Sequence, residues 1–408
     1  MQPDSYRVSS AYTGGVASSS SSAELPSHTC PACAASEMVP LVDVGRVPVL
    51  SGVTFADRRD ALASPAARMR LLSCPACCHV YNVAFDPSRL DYDVNYDNSL
   101  HHSRTFQAYS DALADRLARE YHLRGKHVVE LGCGKGHFLV DLCRIAGARG
   151  TGYDRSYAGE VSDPAVVFVQ DNLSWDEPHD FDFVVSRHVV EHLVGPMDFL
   201  AGLRRACGTR EVSGYIEVPD AIYDFERSPW NLHYPHVSYF SATSLARFAV
   251  RGGFGVLHLA RSFEGQYLSL EIGVNVPTPD QVSFAGMGLH REREILAAFR
   301  ENYPGMVQGW RDRLGAIGYD KCVVWGGGAK GLGFLNAVDP EHQIAAVVDL
   351  NPAKSGEYLP VTGHRIVGPD ELRSLAVSTV VITNPTYRRE IEASLVDLGV
   401  HAEVVCAH

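Results

Sequence analysis

The chain has 408 residues, 46% hydrophobic and 21% charged, a balance that suits a soluble globular protein of two or three domains. Its formal net charge of −12 excludes a broad nucleic-acid-binding or membrane-surface face, because phosphates would be repelled, and leaves room only for a local basic pocket. No apolar run approaches the roughly 18–20 residues of a membrane span, and the N-terminus lacks the basic flank and apolar core of a secretory signal, so the cytoplasm is the expected compartment.

Residues 1–26 include VASSSSSAELP and hold little that can build a core; a disordered leader is expected there. Two C-P-A-C knuckles follow, Cys30 with Cys33 and Cys74 with Cys77, with 40 residues between them. Each offers two thiolates, and four sulfurs close a tetrahedral zinc site with no open position, which makes the ion structural. Cys78 is a possible substitute ligand that breaks the two-residue spacing. The residues between the knuckles are expected to carry short strands. A tyrosine-rich, turn-rich stretch, Tyr92 to Ser99, then reads either as a lid whose hydroxyls fold over a ligand or as an ordered linker. Phe106 to Tyr121 shows apolar residues at helical spacing.

The stretch His127 to Leu142, HVVELGCGKGHFLVDL, is the centre of the chain. Val128 and Val129 suit a buried strand, Gly132, Gly134 and Gly136 permit a tight turn, and Phe138 to Leu142 resume apolar residues at helical spacing. Strand, glycine turn and helix is how a doubly wound α/β domain opens its cofactor site. The spacing E-x-G-x-G-x-G, starting at Glu130, differs from the dinucleotide pattern G-x-G-x-x-G. It resembles motif I of class I S-adenosylmethionine (SAM) methyltransferases. Asp154 lies 18 residues past Gly136, where a second strand should end and a carboxylate can accept ribose hydroxyls. Asp171 and Asn172 follow a third strand and suit the adenine amino group.

Phe181 to His192 reads as a fourth strand whose end, Ser186 to His192, should face the cleft; His188 is placed against the cofactor, and Glu191-His192 is an alternative helix start. Gly214 to Pro219 reads as the fifth strand. His233, Tyr234, His236 and Tyr239 then form the densest titratable cluster in the chain, and histidine is the usual general base near neutral pH. A hydrogen-bonded loop packed on the sheet is the competing reading of this segment. Gly252 to Leu268 closes the domain as a hairpin, and a helix from Gly288 to Leu314 leads into a second α/β unit. There Gly326, Gly328 and Gly331 satisfy G-x-G-x-x-G, with Asp349 lying 18 residues beyond. That motif is weak alone: it fits a nicotinamide dinucleotide, and Lys330 inside the turn fits a phosphate equally well.

Taken together, CPAC…CPAC, YDNSLHHSRTF, ELGCGKGHFL, SRHVVEH, HVSYFS, EGQYL, WGGGAKG, VVDLNPAKSGEYLPVTGH and NPTY resemble the sugar C-methyltransferases that act on nucleotide-linked keto-deoxysugars. After the leader at 1–26, the resemblance implies a zinc-binding domain at 27–90, a Rossmann-like class I methyltransferase domain at 91–285 and a second Rossmann-like, substrate-binding domain at 286–408. It implies SAM and structural Zn²⁺ as cofactors and a TDP-linked keto-deoxysugar of natural-product biosynthesis as substrate. It also implies deprotonation beside a ketone and attack of the enolate on the sulfonium methyl. His236 lies where the family base is expected, Tyr96 where a tyrosine approaches the sugar, and His233 where a tyrosine often stands. Tyr234, Lys330, Asn351, Lys354, Asn384 and Tyr387 become candidate substrate contacts. One departure matters: the family commonly has Glu-His, and here the pair is Pro235-His236. Methylation at oxygen or nitrogen of another small molecule is therefore an alternative, followed by a NAD-linked oxidoreductase and by an inactive SAM-binding protein. No nucleic-acid or membrane partner is expected, and a monomer is mildly favoured.

Overall fold

The structure, a computed structural model, describes residues 29–90, 102–159, 161–275 and 288–407. The expected leader and Tyr96 lie outside the described residues.

The central sheet has seven strands, in the order Gly255–Ser262, Tyr267–Val274, Val212–Pro219, Phe183–Arg187, His127–Leu131, Arg149–Tyr153, Val166–Val169. The last five run parallel, and Tyr267–Val274 is antiparallel to both neighbours. This is the α/β, class I methyltransferase arrangement that the motif spacing predicts. Alternate side chains of a strand face opposite sides, and the sheet is covered on both. Val128 packs with Leu113, Leu117 and Phe138 of the helices Arg104–Glu120 and His137–Ala146. Val129 packs with Leu203 and Leu245 of Pro196–Cys207 and Ala242–Arg251. His127–Leu131 is therefore central, and its carboxyl end opens where the next strand lies on one side and Phe183–Arg187 on the other. That is the switch point at which α/β sheets bind ligands.

A four-stranded antiparallel sheet precedes it, in the order Val39–Pro48, Ala66–Ser73, Val80–Asn82, Ser238–Tyr239. Two features differ from the sequence reading. The first two strands, 10 and 8 residues long, are longer than expected between the knuckles. The fourth comes from the histidine-rich segment, where Val80 pairs with Tyr239, so that segment is partly strand. The third sheet is parallel throughout, in the order Ile366–Val367, Ala346–Val348, Cys322–Trp325, Thr379–Ile382, Glu403–Cys406. The 29-residue helix Leu289–Ile317 joins these parts. Its first half packs Ile295, Leu296 and Phe299 with residues of the four-stranded sheet, and its second half packs Trp310 and Leu314 with the third sheet. Among the described residues, no helix is long and apolar enough to cross a membrane.

Candidate active site

A cavity of about 640 Å³ opens at the carboxyl ends of the strands, and both glycine turns line it. At the first turn, Gly132, Gly134 and Gly136 all have positive φ, from 53° to 86°, a region costly for any residue with a Cβ. A Cβ at Gly132 would stand 2.2 Å from Val189 Cγ2, and one at Gly136 would stand 2.4 Å from Phe168 Cζ. The turn must therefore be glycine for its conformation and for its neighbours. Asp154 reinforces it: its Oδ2 accepts from Gly134 N at 2.7 Å and its Oδ1 from Ser156 N at 2.7 Å. Glu130, just before the turn, is buried, and its Oε2 has no hydrogen-bond partner. Burial pushes its carboxyl up to about 8, against the opposing pull of Arg187.

Glu217, on the adjoining strand, is fully buried and the most heavily bonded acid in this wall. It accepts from Arg187 Nε at 2.9 Å, from Tyr215 Oη at 2.7 Å and from the Tyr109 hydroxyl. Burial alone would raise its pKa, but Arg187 and His188 outweigh burial and hold it well below the usual carboxylate range. His188 has a left-handed backbone, φ 56°, that turns its ring back over this network, 3.2 Å from Glu217 Oε1 and 3.5 Å from Glu191 Oε1. Burial disfavours its charge, yet Glu191 and Glu217 raise it to about 9, so the ring is an imidazolium at neutral pH.

Three histidines meet beyond it. The rings of His233 and His236 lie 3.7 Å apart between centroids, and His192 is 4.9 Å from His236. His233 Nδ1 lies 3.2 Å from Ser51 Oγ, and His192 Nδ1 lies 3.0 Å from the Pro235 carbonyl oxygen. Burial, then the neighbouring imidazoles, hold His236 well below its ordinary value; burial and His192 bring His233 down to about 3. Both are neutral bases near pH 7, in contrast to His188.

The opposite wall is the second glycine turn. A Cβ on Gly331 would stand 1.9 Å from the Gly326 carbonyl oxygen, so glycine there lets helix Ala329–Val338 close on its strand. Gly327 N donates to Asp349 Oδ2 at 2.9 Å. Lys330 Nζ donates to Gln266 Oε1 at 2.9 Å and lies 3.8 Å from Asp224 Oδ1. Burial lowers the lysine pKa, while burial raises Asp224 to about 7 against the pull of Lys330. Asn384 Nδ2 also donates to Gln266 Oε1, at 2.8 Å.

Most residues singled out from sequence thus meet in one cavity: Glu130, the three glycines, Asp154, Asn172, His188, His233, His236, Lys330, Lys354, Asn384 and Tyr387 all line it. Three do not. Tyr234 is fully buried away from it, its hydroxyl accepting from Asp86 N at 2.7 Å and its ring on Phe85, because it sits in a turn, closed by His236 N donating to the His233 carbonyl oxygen at 3.0 Å, that sends its side chain away from those of the two histidines. Asn351 turns inward and caps the Pro352–Lys354 turn through Ala353 N at 3.0 Å. Asp171 is exposed and accepts from Asn172 N. Conversely, Glu217, Arg187, Asp224 and Gln266 were not singled out as site residues. Arg187 and Gln266 stand inside the motifs SRHVVEH and EGQYL, but their roles depend on partners up to 120 residues away, as Thr386 is from Gln266, which no local pattern displays.

Away from the cavity, the sulfurs of Cys30, Cys33, Cys74 and Cys77 all lie within 4.8 Å of one another, with Cys30 to Cys77 and Cys33 to Cys74 each at 3.7 Å. Crowding moves these thiols in opposite directions: contact with Cys74 pushes Cys30 up, and contact with Cys30 holds Cys74 down. This donor set fits a tetrahedral metal ion. Cys78 stands apart, 4.0 Å from the Leu289 carbonyl oxygen, and packs in a different cluster.

Residues 101–259 match a family described as a methyltransferase domain, and residues 318–406 match a family described as C2185-like, N-terminal. A comparison with curated proteins returns no match. Among solved structures, the chain is similar to a SAM-dependent methyltransferase from Aquifex aeolicus, at 15% identity over 43% of this chain and 100% of the other, with a TM-score of 0.33. It is also similar to the 1,6-didemethyltoxoflavin-N1-methyltransferase of Burkholderia thailandensis, at 15% identity over 48% of this chain and 96% of the other, with a TM-score of 0.33. Likenesses this distant carry no functional weight.

Proposed function

We propose that this chain, whose residues 101–259 match a methyltransferase domain, is a SAM-dependent methyltransferase that methylates a carbon of a TDP-linked keto-deoxysugar in natural-product biosynthesis. One observation carries this reading: a single cavity runs from the methyltransferase glycine turn, past the histidines, to the second glycine turn with Lys330. A helix N-terminus with an adjacent lysine receives phosphates. A diphosphate seated there would direct the attached sugar toward His233 and His236, between the two turns.

When bound, SAM supplies an electrophilic methyl group. Around Gly132–Gly136 the turn offers backbone N–H groups, and the Glu130 and Asp154 carboxylates border the same space. The His233–His236 pair, neutral because it is buried, takes the proton from the carbon beside the ketone. Glu191 and Glu217 together keep His188 protonated, and Glu217 stays ionised, so the charged and neutral imidazoles of this site have separate tasks. The four cysteines hold a structural zinc ion in this reading. Methylation at oxygen or nitrogen is the second reading, favoured by Pro235. Its carbonyl engages His192, but its ring offers no carboxylate to His236.

The test is mass spectrometry of products after incubation with SAM and a panel of TDP-linked keto-sugars, with the methyl position located by NMR. One added methyl on carbon is expected. A methyl on oxygen or nitrogen would replace the chemistry, and no product with any keto-sugar despite SAM binding would remove the substrate class.

A further inference from the structure

A second set of metal-donor side chains converges inside the cavity. Glu191 and His192 end the short turn after strand Phe183–Arg187, and His236 precedes strand Ser238–Tyr239. A hydrogen bond from Val237 N to the Glu191 carbonyl oxygen, 2.9 Å, ties the two segments together. The donor atoms of Glu191, His192 and His236 all lie within 4.8 Å of one another. Ligands of one ion, with bonds of about 2.0–2.2 Å, stand roughly 3–4 Å apart, so rotamer-scale movement closes the set.

Two further observations point to a ligand. Glu191 is 2% exposed and neither carboxylate oxygen has a hydrogen-bond partner; His236 is 6% exposed and its Nδ1 has none. Both line the cavity. The His188 ring, 3.5 Å from Oε1, compensates this buried carboxylate only in part, and a metal cation bound to it removes the remaining cost. His192 supplies the third donor. Its Nδ1 lies 3.0 Å from the Pro235 carbonyl oxygen, the kind of outer contact that orients a metal-binding imidazole.

We propose that Glu191, His192 and His236 bind a first-row divalent cation whose remaining coordination positions open into the cavity. Two imidazoles and one carboxylate with open positions are the donor set of catalytic zinc and of non-haem iron(II) centres. Resting on the C-methylation reading, the ion takes the ketone oxygen of the substrate. With His236 on the ion, His233 is the member of the pair that takes the proton: the C–H bond beside the ketone breaks, its electron pair forms the new carbon–carbon double bond, and the carbonyl π pair moves onto the oxygen. The cation then stabilises the charge for which Pro235 provides no help.

The test is zinc content by inductively coupled plasma mass spectrometry, after the full chain is equilibrated with zinc sulfate and desalted. Two zinc ions per chain are expected in the wild type and one each in Glu191→Gln and His236→Asn. The ion retained on the cysteines reports that each variant is folded. In the cobalt(II)-substituted protein, loss of the second ion should leave the thiolate-to-metal charge-transfer band unchanged. One zinc in the wild type, or two in both variants, overturns the site. Product formation is read separately: two zinc ions without methylated sugar removes the substrate reading alone, and methylated sugar with one zinc removes the metal site alone.

Discussion

The two glycine turns are built alike and surrounded differently. Each follows a parallel strand, and each opens a ten-residue helix that begins on a glycine with no side-chain cap. In each, an aspartate from the end of the next strand accepts a turn N–H: Asp154 from Gly134 at 2.7 Å, and Asp349 from Gly327 at 2.9 Å. Yet the first turn needs its glycines for positive-φ backbone at three positions, while the second has one such position, Gly326 at φ 109°, and needs Gly331 for close packing against the Gly326 carbonyl. The first adjoins the buried acid Glu130, and the second holds the half-buried cation Lys330. A glycine turn thus provides a generic set of N–H donors, and the charge beside it selects what sits there.

The largest expected effects come from breaking one turn at a time. Gly136→Ala places a Cβ at φ 86° and against Phe168, and Gly331→Ala drives a Cβ into a backbone oxygen that cannot move aside. Strain of about 1–3 kcal/mol at such positions, with the clash added, predicts losses on the order of 100-fold. Gly136→Ala should weaken SAM binding by that factor in calorimetry. Gly331→Ala should leave SAM affinity near normal and raise the KM for the proposed sugar-nucleotide substrate. Equal damage to both ligands by both variants would show that the turns do not serve separate ligands.

The difference between the turns also shows what a sequence carries. Both turns and both cysteine knuckles are local patterns with fixed spacing, and the sequence places them on the right elements. The residues that give each turn its character are not local. Gln266 joins Lys330 and Asn384 across 64 and 118 residues, and Glu217 joins Tyr109 across 108. Ser51 reaches His233 across 182 residues because Ser238–Tyr239 adds a strand to the N-terminal sheet, a pairing that two residues cannot announce. Within the histidine segment the residue types are visible, but the side each one faces is not. Tyr234 turns toward Phe85 because the segment is tied on one side to Val80–Asn82 and on the other to Glu191.

Removing the cation from the second turn sharpens the contrast with a smaller effect. Lys330→Met keeps most of the side-chain volume and deletes the charge. A charge-assisted hydrogen bond is worth about 1.5–3 kcal/mol, so KM for the sugar nucleotide should rise roughly 10- to 100-fold. SAM affinity should be unchanged, because Lys330 stands on the opposite wall from Gly132–Gly136. A fall in kcat with unchanged KM would instead place Lys330 at the reacting atoms.

The smallest effect tests the acid beside the first turn. Glu130 has a folded pKa of about 8 against an ordinary 4.5, raised by burial. For an acid raised in this way, the folded state is favoured by protonation. Its stability relative to a neutral residue is therefore greatest below about pH 4.5, falls as pH rises toward 8, and is flat above. Glu130→Gln removes that loss. In thermal unfolding without SAM, the variant should gain on the wild type from pH 5 to pH 8, by a few degrees at about 2–4 °C per kcal/mol. Adding SAM should narrow the gap at pH 8 if the cofactor's hydroxyls or cationic centre reach the carboxylate, and a gap that ignores SAM would separate Glu130 from the cofactor. A gap that shrinks with rising pH would show that Arg187, and not burial, sets the charge of this wall.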